Sequence, residues 1–530
     1  MMRKSYLWLL VILALWSCGD DEEPGGGTPD SVTLSDLIGD WLDLSITNGT
    51  TTDGFVVVDF SGDPAFGILE AFGVNNQDFG CNENVFRNIM VGPANTFIGE
   101  GLVDQGSGSE WVPIVITLDN ANQISVTYEG CTACDFVPDV MVRVDDTNVP
   151  VPVLIDSDID DDITLIDLVC DPTQPDYIVE GFLDVDAVLT IESGVVIEFG
   201  ANAGFIMREF GGGALIANGA TANSIVFTGQ TKTPGFWRGL VFQTNDVRNE
   251  LNNVVVEYAG SDQIADDILG GVRAGIAVDV EPGGAAASLR LTNSTIREND
   301  GYGLVMEWFS QLREFSNNTF EDNTEAAVLL EAINVGALDA GSQYAGGNGF
   351  EGVEIAGTSA GNALRDDATW PGLEDGAIYR VLGNIEIEAT LTISPGATLE
   401  FEANSEIFFG VPFDRPEGII RAIGTADNPI TFTGVQKTPG YWKGIVIQST
   451  SNQNLMEFCI VEYGGSDAIF GGQPANISLD IFNFAPSLTI FDSIIRNSAG
   501  CGIYVQSINS DLIESDNTFT SNPSGDVCFD

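Results

Sequence analysis

One long stretch of this sequence is written twice, and the duplication limits the possible folds more than any other feature. Residues 189–199, LTIESGVVIEF, return as LTISPGATLEF at residues 391–401. Three further pairs follow in the same order: KTPGFWRGLVFQ from Lys232 and KTPGYWKGIVIQ from Lys437, VVVEYAGSD ending at Asp262 and CIVEYGGSD ending at Asp467, and STIREND from Ser294 and SIIRNSA from Ser493. The offset between copies stays within 199 to 205 residues. Such a constant offset indicates an internal duplication that tolerates changes in loop length.

A shorter period runs inside each copy. Ile296 and Asn299 are followed 24 residues later by Phe320 and Asn323, and copy 2 keeps this step. Short runs of Val, Ile, Leu and Phe, separated by Gly, Asn and Asp without helical periodicity, are typical of strand-turn coils stacked on their neighbours. The sequence therefore predicts an all-β parallel solenoid with inward apolar columns and ladders of Asn side chains at its turns.

The repeated motifs resemble those of the right-handed parallel β-helix proteins of the pectate-lyase-like superfamily. They are similar above all to bacterial surface proteins that carry LTI-x-PG, KTPG-x-W-x-G and VEYGG in series. The resemblance implies a right-handed parallel β-helix, with a first copy over residues 176–375 and a second over residues 376–530. Because one fold supports many functions, it implies no particular activity.

The N-terminus resembles a lipoprotein signal peptide over residues 1–17. Arg3 and Lys4 precede a short apolar run that ends at Leu15-Trp16-Ser17-Cys18. This resemblance implies lipidation of Cys18 and anchoring to the membrane, and an ordinary secretory signal is the alternative. Residues 18–30 form an acidic, Gly-rich tether, similar to signals that send lipoproteins to the outer surface of the cell outer membrane.

The charge balance fits an extracellular address. The chain has 78 Asp and Glu against 19 Lys and Arg, a formal charge of −59, and no histidine. The negative charge excludes nucleic acid as a partner, because the phosphate backbone would be repelled. The lack of histidine removes the commonest general base and metal ligand.

Residues 31–148 lack the 24-residue period. Alternating apolar segments around residues 41–46, 55–60, 66–72, 111–118, 124–128 and 140–144 predict an antiparallel β-barrel-like domain. Its opening, LIGDWLDLSI, resembles the first strand of lipocalin-like domains. Cys81, Cys131 and Cys134 lie here, and a disulfide from Cys81 to one of the pair is favoured over a redox or zinc site.

Residues 149–175 are predicted to be an acidic linker. The spacing of Asp156, Asp158, Asp160, Asp162 and Asp167 is similar to that of a calcium loop, although Asp161 stands where such a loop needs glycine. Calcium is therefore the one cofactor that the sequence offers, and a solvated acidic segment is the alternative.

Two sets of residues in the solenoid are candidates for function. Aromatic residues with a neighbouring base could contact a glycan, or the two Trp could fill the core; this set comprises Phe236, Trp237, Arg238, Tyr441, Trp442 and Lys443. Doubled carboxylates could form the acid-base pair of a glycosidase, or could cap strands and turns; these are Glu257 with Asp262, and Glu462 with Asp467.

The duplication favours binding over catalysis, because an enzyme normally needs one constellation of residues. The sequence thus predicts a surface-anchored lipoprotein that acts as a carbohydrate-binding or adhesive scaffold. A polysaccharide lyase or glycoside hydrolase is the alternative, and a purely structural stalk is a second one.

The address can be tested by metabolic labelling with a fatty-acid analogue. If Cys18 carries lipid, the label should enter the protein, and Cys18→Ser should abolish it because the acceptor thiol is gone. Protease treatment of whole cells should then degrade the protein. A labelled Cys18→Ser variant, or a fully protected protein, would contradict the predicted anchor or the predicted surface address, respectively.

Overall fold

The structure is a computed structural model. It describes residues 32–43, 57–61, 69–75, 84–104, 109–130, 140–143, 152–168, 172–208, 212–264, 268–279, 286–307, 309–357, 363–410, 417–468, 472–480, 485–507 and 509–530. Among these residues, none belongs to a helix with the length and apolarity needed to cross a membrane. Cys18, Cys81, Cys131 and Cys134 lie outside the described residues, so their lipidation and disulfide pairing stay predictions.

The N-terminal unit is a closed antiparallel barrel in which each strand neighbours the next and the first also pairs with the last. Its strands are β1 (Gly39–Asp43), β2 (Val57–Ser61), β3 (Leu69–Asn75), β4 (Asn84–Val91), β5 (Thr96–Asp104), β6 (Ser109–Asn120), β7 (Gln123–Tyr128) and β8 (Val140–Arg143), and a short 3-10 helix, Leu34–Asp36, precedes them. The predicted barrel-like domain is confirmed. Its kinship with lipocalins stays a prediction.

Trp41 anchors the start of the barrel. Its side chain is fully buried, its indole N–H donates to the carbonyl of Leu37 at 2.7 Å, and the guanidinium of Arg143 lies 4.4 Å from its ring centre. Because Arg143 lies on the last strand, this contact joins the two strands that close the barrel.

Two barrel strands, β4 and β5, have no counterpart in the sequence prediction. In β4, Asn88 takes a φ of 56° and the register with β5 shifts there, so a bulge breaks the alternation. In β5, a Cβ on Gly99 would lie 2.9 Å from the carbonyl oxygen of Arg87. Close packing of the neighbouring backbone therefore requires glycine inside a strand, and glycine hides the strand pattern.

The second unit is the parallel β-helix. The strands of copy 1 are β9 (Val153–Ile155), β10 (Ile163–Leu165), β11 (Tyr177–Val179), β12 (Phe182–Val185), β13 (Val188–Ile191), β14 (Val196–Phe199), β15 (Gly204–Arg208), β16 (Ala214–Asn218), β17 (Ile225–Gly229), β18 (Gly239–Gln243), β19 (Glu250–Asn252), β20 (Val254–Glu257), β21 (Ala274–Val278), β22 (Ser288–Thr292), β23 (Thr295–Arg297), β24 (Tyr302–Met306), β25 (Gln311–Ser316), β26 (Thr319–Glu321) and β27 (Ala326–Glu331).

Copy 2 follows a short 3-10 helix, Val335–Ala337, and repeats copy 1 strand for strand. Its strands are β28 (Phe350–Ala356), β29 (Ala368–Trp370), β30 (Ile378–Val381), β31 (Ile385–Ile387), β32 (Thr390–Ile393), β33 (Thr398–Phe401), β34 (Glu406–Phe409), β35 (Ile419–Ile423), β36 (Ile430–Gly434), β37 (Gly444–Ile447), β38 (Leu455–Glu457), β39 (Cys459–Glu462), β40 (Ala475–Leu479), β41 (Ser487–Phe491), β42 (Ile494–Arg496), β43 (Cys501–Val505), β44 (Asp511–Ser515), β45 (Thr518–Thr520) and β46 (Gly525–Phe529). In the described residues, β9 to β27 thus match β28 to β46 one to one. The right-handed parallel β-helix is confirmed.

Each coil places one inward side chain directly over the next. Ile197, Phe227, Val256, Ile296 and Phe320 form such a column through β14, β17, β20, β23 and β26, and all five are fully buried. Burying one such side chain contributes about 1.5–3 kcal/mol. The column therefore holds successive coils together and fixes their register.

The predicted acidic linker is wrong where the structure describes it. β9 pairs in parallel with β11, β10 pairs with β13, and Ile159 bridges Val185. Residues 152–168 are therefore the first coil of the β-helix. Copy 2 likewise begins at β28, earlier than the predicted residue 376, since β28 corresponds to β9.

The two copies are stacked with an offset of one face. Each coil has three faces, and copy 1 contributes β12, β15, β18, β21, β24 and β27 to a 13-stranded sheet. Copy 2 continues that sheet with β28, β30, β33, β36, β39, β42 and β45, which correspond to the strands of a different, seven-stranded sheet in copy 1. The transition lies between β27 and β28, where Leu330 pairs with Ile355. Equivalent strands of the two copies therefore lie on different faces.

Buried asparagines form the predicted ladder at one corner of copy 1. The amide of Asn299 donates to the side-chain oxygen of Asn323 at 2.9 Å, and that of Asn323 donates to the oxygen of Asn348 at 3.0 Å. The left-handed backbone lies one residue earlier, at Glu298 and Asp322. The asparagines thus satisfy buried backbone groups beside the turn and leave the strained conformation to their neighbours.

The cysteines that the structure describes lie in copy 2. Cys501 and Cys528 form a disulfide between β43 and β46, and Cys459 is a free, buried thiol. Burial raises the pKa of the Cys459 thiol to about 12. This thiol is consequently protonated and unreactive.

A pair of compensating differences shows how the copies diverged. In copy 1, the side-chain oxygen of Asn299 accepts from the backbone N–H of Ala259 at 2.9 Å. In copy 2 the equivalent N–H, of Gly464, is bound at 2.8 Å by Asn476, whose counterpart in copy 1 is Gly275. A Cβ on Gly275 would lie 2.8 Å from the Asn299 amide nitrogen. The two asparagines therefore exclude each other, and either one can bind this turn.

This exclusion predicts a non-additive pair of substitutions in copy 1. Gly275→Asn alone should overpack the turn, and Asn299→Ser alone should leave a buried N–H unpaired, each at a cost of about 1–3 kcal/mol. The double variant recreates the arrangement of copy 2 and should be destabilised by less than the sum of the two. Denaturant unfolding of the four proteins measures this coupling, and strict additivity would contradict the proposed compensation.

Candidate functional site

The two most repeated motifs bind each other. In each copy, main-chain hydrogen bonds join two short segments, and we call each joined pair a clamp. The clamp of copy 1 consists of residues 235–238 and 257–261, and that of copy 2 of residues 440–443 and 462–466. In copy 1 the bonds are Gly235 N to Ala259 O (3.0 Å), Phe236 N to Tyr258 O (2.9 Å), Ser261 N to Trp237 O (2.9 Å) and Gly260 N to Arg238 O (3.3 Å). In copy 2 they are Gly440 N to Gly464 O (3.1 Å), Tyr441 N to Tyr463 O (2.9 Å), Ser466 N to Trp442 O (2.9 Å) and Gly465 N to Lys443 O (3.0 Å). The motifs recur together because each completes the hydrogen bonds of the other.

The tryptophan of each clamp lies in the core. Trp237 is fully buried, stacks on Phe199 with ring centres 4.1 Å apart, and donates its indole N–H to the carbonyl of Glu257 at 2.7 Å. Trp442 repeats this arrangement on Phe401, at 4.2 Å. The prediction that these two rings form a glycan platform is wrong, because neither ring is accessible. Their alternative role, filling the coil, is the one observed.

The residues beside the tryptophans bond to carboxylates of their own chain. Arg238 binds Asp262 and lies over the ring of Phe182. Lys443 donates to Glu406 at 3.3 Å. Of the two aromatic neighbours, Tyr441 donates its hydroxyl to Glu402 at 2.9 Å, and Phe236 is half-buried against the core. These side chains are thus partly occupied by internal contacts.

Both oxygens of each candidate catalytic glutamate accept hydrogen bonds. One oxygen of Glu257 accepts from the hydroxyl of Thr228 at 2.9 Å and the other from Arg297 Nε at 2.9 Å. Copy 2 repeats both bonds: Glu462 accepts from Thr433 at 3.1 Å and from Arg496 at 2.6 Å. A general acid or base needs a carboxylate oxygen that can reach the substrate. Both glutamates instead link neighbouring strands of a sheet.

The predicted carboxylate pairs are held apart by different partners. Asp262 accepts a hydrogen bond from Arg238, and this bond holds the pKa of the Asp262 carboxyl below its usual range. Glu257 instead forms an ion pair with Arg297. Asp467 accepts from the backbone N–H of Ala468 at 2.8 Å. The two carboxylates of each pair therefore bond to different residues, and their role as an acid-base pair stays a prediction.

Arg297, which binds Glu257, is held as a cation. Burial acts to lower the pKa of Arg297, but hydrogen bonds and charges from Glu257 and Glu321 outweigh it and raise the pKa above its usual value. The guanidinium therefore stays protonated. It acts as an ion-pair partner in the sheet, as Arg496 does beside Glu462.

The calcium loop is not formed. Asp158 and Asp162 bind backbone N–H groups of the next coil, those of Asp184 and Val188, each at 2.9 Å. Asp367 repeats the bond of Asp162 in copy 2, to Thr390 at 2.8 Å. No group of three His, Cys, Asp or Glu that could hold a metal ion occurs in the part of the chain that the structure describes. The calcium interpretation is wrong because these aspartates cap turns of a coil.

The remaining residues of the predicted calcium loop fit that coil too. Asp156 and Asp160 are exposed along it, whereas Asp167 is half-buried. Burial, with a smaller contribution from Glu192, raises the pKa of Asp167 to about 6.

One aromatic residue in each clamp is not among the functional residues predicted from the sequence. Tyr258 has a φ of 66° and Tyr463 a φ of 64°, and both are half-exposed. This left-handed conformation recurs at the corners of many coils, where it is usually taken by small or acidic residues such as Asn253 and Asn293. A bulky side chain there is unfavourable. Its presence at the same corner in both copies makes the ring a shared feature of the two clamps.

Cations flank each tyrosine. We call Lys232, Tyr258 and Arg297 strip 1, and the equivalent residues Lys437, Tyr463 and Arg496 strip 2. The lysines have 48% and 46% of their side chains exposed and the arginines 40% each. Each lysine donates to a glutamate and a threonine of its own sheet, and each arginine donates to a glutamate. Both strips therefore combine a partly exposed aromatic ring with partly exposed cations in the same arrangement. The signal in the sequence was the Tyr that follows Glu in VEYAGSD and VEYGGSD.

The tyrosine ring of strip 1 is held in place by its surroundings. It packs against the edge of the core, and burial raises the pKa of its hydroxyl to about 12, with a further contribution from a hydrogen bond to Glu298. The hydroxyl is therefore neutral at physiological pH. A positioned, neutral aromatic residue is suited to contact with apolar faces of ligands.

Comparison with known families agrees with this architecture. Residues 366–478 match the family described as the pectate-lyase like beta helix domain. No curated protein and no solved structure matches the chain. The matched residues lie within copy 2 and include its clamp, so the family likeness extends to the repeated motifs themselves.

Proposed function

We propose that this protein is a lipid-anchored surface scaffold that binds polysaccharide through strips 1 and 2. The observation that carries the proposal is the pair of half-exposed tyrosines that occupy the same unfavourable backbone conformation in both copies. An aromatic ring with adjacent N–H donors is the usual composition of a sugar-binding surface, since the ring covers the apolar face of a sugar and the donors bind its hydroxyls.

Neutral polysaccharides are the ligand class that the charges favour. Strip 1 lies among Glu198, Glu257, Glu298 and Glu321, and the chain as a whole is strongly acidic. A polyanionic chain would be repelled by this field, whereas a neutral one is not.

Binding is favoured over catalysis by the ionic contacts of the duplicated carboxylates. Both oxygens of Glu257 and of Glu462 accept hydrogen bonds from Thr and Arg side chains, and the same bonds occur in both copies. A purely structural stalk would retain these bonds as well. It would give no reason for a tyrosine at this corner in both copies, whereas Phe458, at another left-handed corner of copy 2, has Asn253 as its counterpart in copy 1.

The proposed anchor places these strips outside the cell. Lipidated Cys18 would attach the chain by its N-terminus, and the acidic tether would separate the folded units from the membrane. Adhesion to an extracellular glycan is the role that this arrangement serves.

Retention on immobilised polysaccharides tests the proposal. The full chain, solubilised in detergent, should be retained by at least one of starch, xylan, mannan and laminarin. It should not cleave the polysaccharide that retains it. Tyr258→Asn together with Tyr463→Asn should lower the affinity about tenfold or more, because two aromatic contacts are lost. Asparagine is chosen because it tolerates the left-handed corner, so the fold should persist.

Phe458→Asn is the matched control, because Phe458 is a half-buried aromatic residue at a left-handed corner outside both strips. It should leave retention unchanged. Equal losses in the control and the double variant would reject the strips as the binding surface. New reducing or unsaturated ends would favour the enzyme, and no retention on any of the four polysaccharides would favour the stalk.

A further inference from the structure

We infer that the protein bridges two separate polysaccharide chains, because its two strips are displayed on different faces of the β-helix. The inference rests on the proposed function and goes beyond it, since binding alone does not require two chains. It follows from the offset between the copies.

The sheets that carry the strips establish this difference in direction. Strip 1 belongs to the seven-stranded sheet, in which Glu257 on β20 pairs with Arg297 on β23. Strip 2 belongs to the 13-stranded sheet, in which Glu462 on β39 pairs with Arg496 on β42. In copy 1, that 13-stranded sheet is formed by β12, β15, β18 and their successors, so it is a different face of the coil from the one that bears strip 1.

The offset of one face puts strip 2 on a neighbouring face of the coil and not on the continuation of the face that bears strip 1. Along the axis, the two strips are separated by seven to eight strand spacings. At about 4.8 Å per spacing this is on the order of 35 Å.

One extended chain cannot lie on both strips without bending around a corner of the coil. Two sites strengthen the hold on a single chain only when the chain can reach both at once. Two identical surfaces that face apart instead select the same kind of ligand twice. The arrangement therefore suits bridging between chains.

The two strips are alike in detail, which also favours two separate binding sites. The clamp geometry, the flanking cations and the conformation of the tyrosine agree between strips, so the two strips are equivalent sites. If the copies had been stacked face on face, strips 1 and 2 would have formed one row along a single sheet. Because of the offset, the two strips lie on different sheets and form no common row, although each strip is intact.

Clustering of coated beads tests the inference. Two colours of beads, both coated with starch, xylan, mannan or laminarin, are mixed with the solubilised full chain. The unaltered protein should cluster the two colours together. Tyr258→Asn alone and Tyr463→Asn alone should each bind the beads, with the number of bound chains per protein reduced about twofold from two to one, and should not cluster them.

A mixture of the two single variants separates bridging within one molecule from bridging by an oligomer. The inference predicts that the mixture does not cluster beads, because every molecule has only one working strip. Clustering by the mixture or by either single variant would overturn the inference, as would binding of the unaltered protein without clustering. In these three outcomes the proposed function stands, whereas the absence of binding to all four polysaccharides rejects both.

Discussion

The stacking of each coil on its neighbours is the constraint on which the β-helix depends. A single coil has backbone donors and acceptors on both edges and apolar residues that face inward, and only adjacent coils can pair and cover them. Ile296, for example, is fully buried because Val256 lies on one side of it and Phe320 on the other. Every inward residue is thus held by a column, and changes are confined to corners and outward faces.

This constraint explains which features the two copies share and which they do not. Both copies keep the clamp because its tryptophan fills the coil and donates to the main-chain carbonyl of the clamp's glutamate. Trp237 binds Glu257 in this way, and Trp442 binds Glu462. Elsewhere the copies diverged by compensation, as Gly275 and Asn476 illustrate. Because clamp and corner are built together, each strip was duplicated as a unit, and stacking with an offset of one face gave the two strips different directions.

Much of the β-helix could be predicted from the sequence, because its 24-residue step and repeated motifs report directly on stacking. The burial of Trp237 and the partial exposure of Tyr258 could not be predicted, since both residues are aromatic and lie in equally well repeated motifs. In residues 152–168 the acidic side chains face outward and conceal three inward apolar positions, so the sequence alone predicts a linker there. The offset between copies was also hidden, because it is produced by the junction between β27 and β28, whose sequence is not repeated.

The offset itself can be measured by engineered disulfides at that junction. Glu331 and Ala356 are paired across β27 and β28, and a Glu331 carboxylate oxygen has no hydrogen-bond partner, so its replacement removes no bond of that oxygen. If the copies are offset by one face, Glu331→Cys with Ala356→Cys should form a disulfide on mild oxidation, identified by peptide mapping, since neighbouring parallel strands bring the Cα atoms within bonding range. Face-on-face stacking would instead bring residue 331 beside β31. A disulfide in the pair Glu331→Cys with Glu388→Cys, and none in the first pair, would contradict the offset and the display of strips 1 and 2 on different faces.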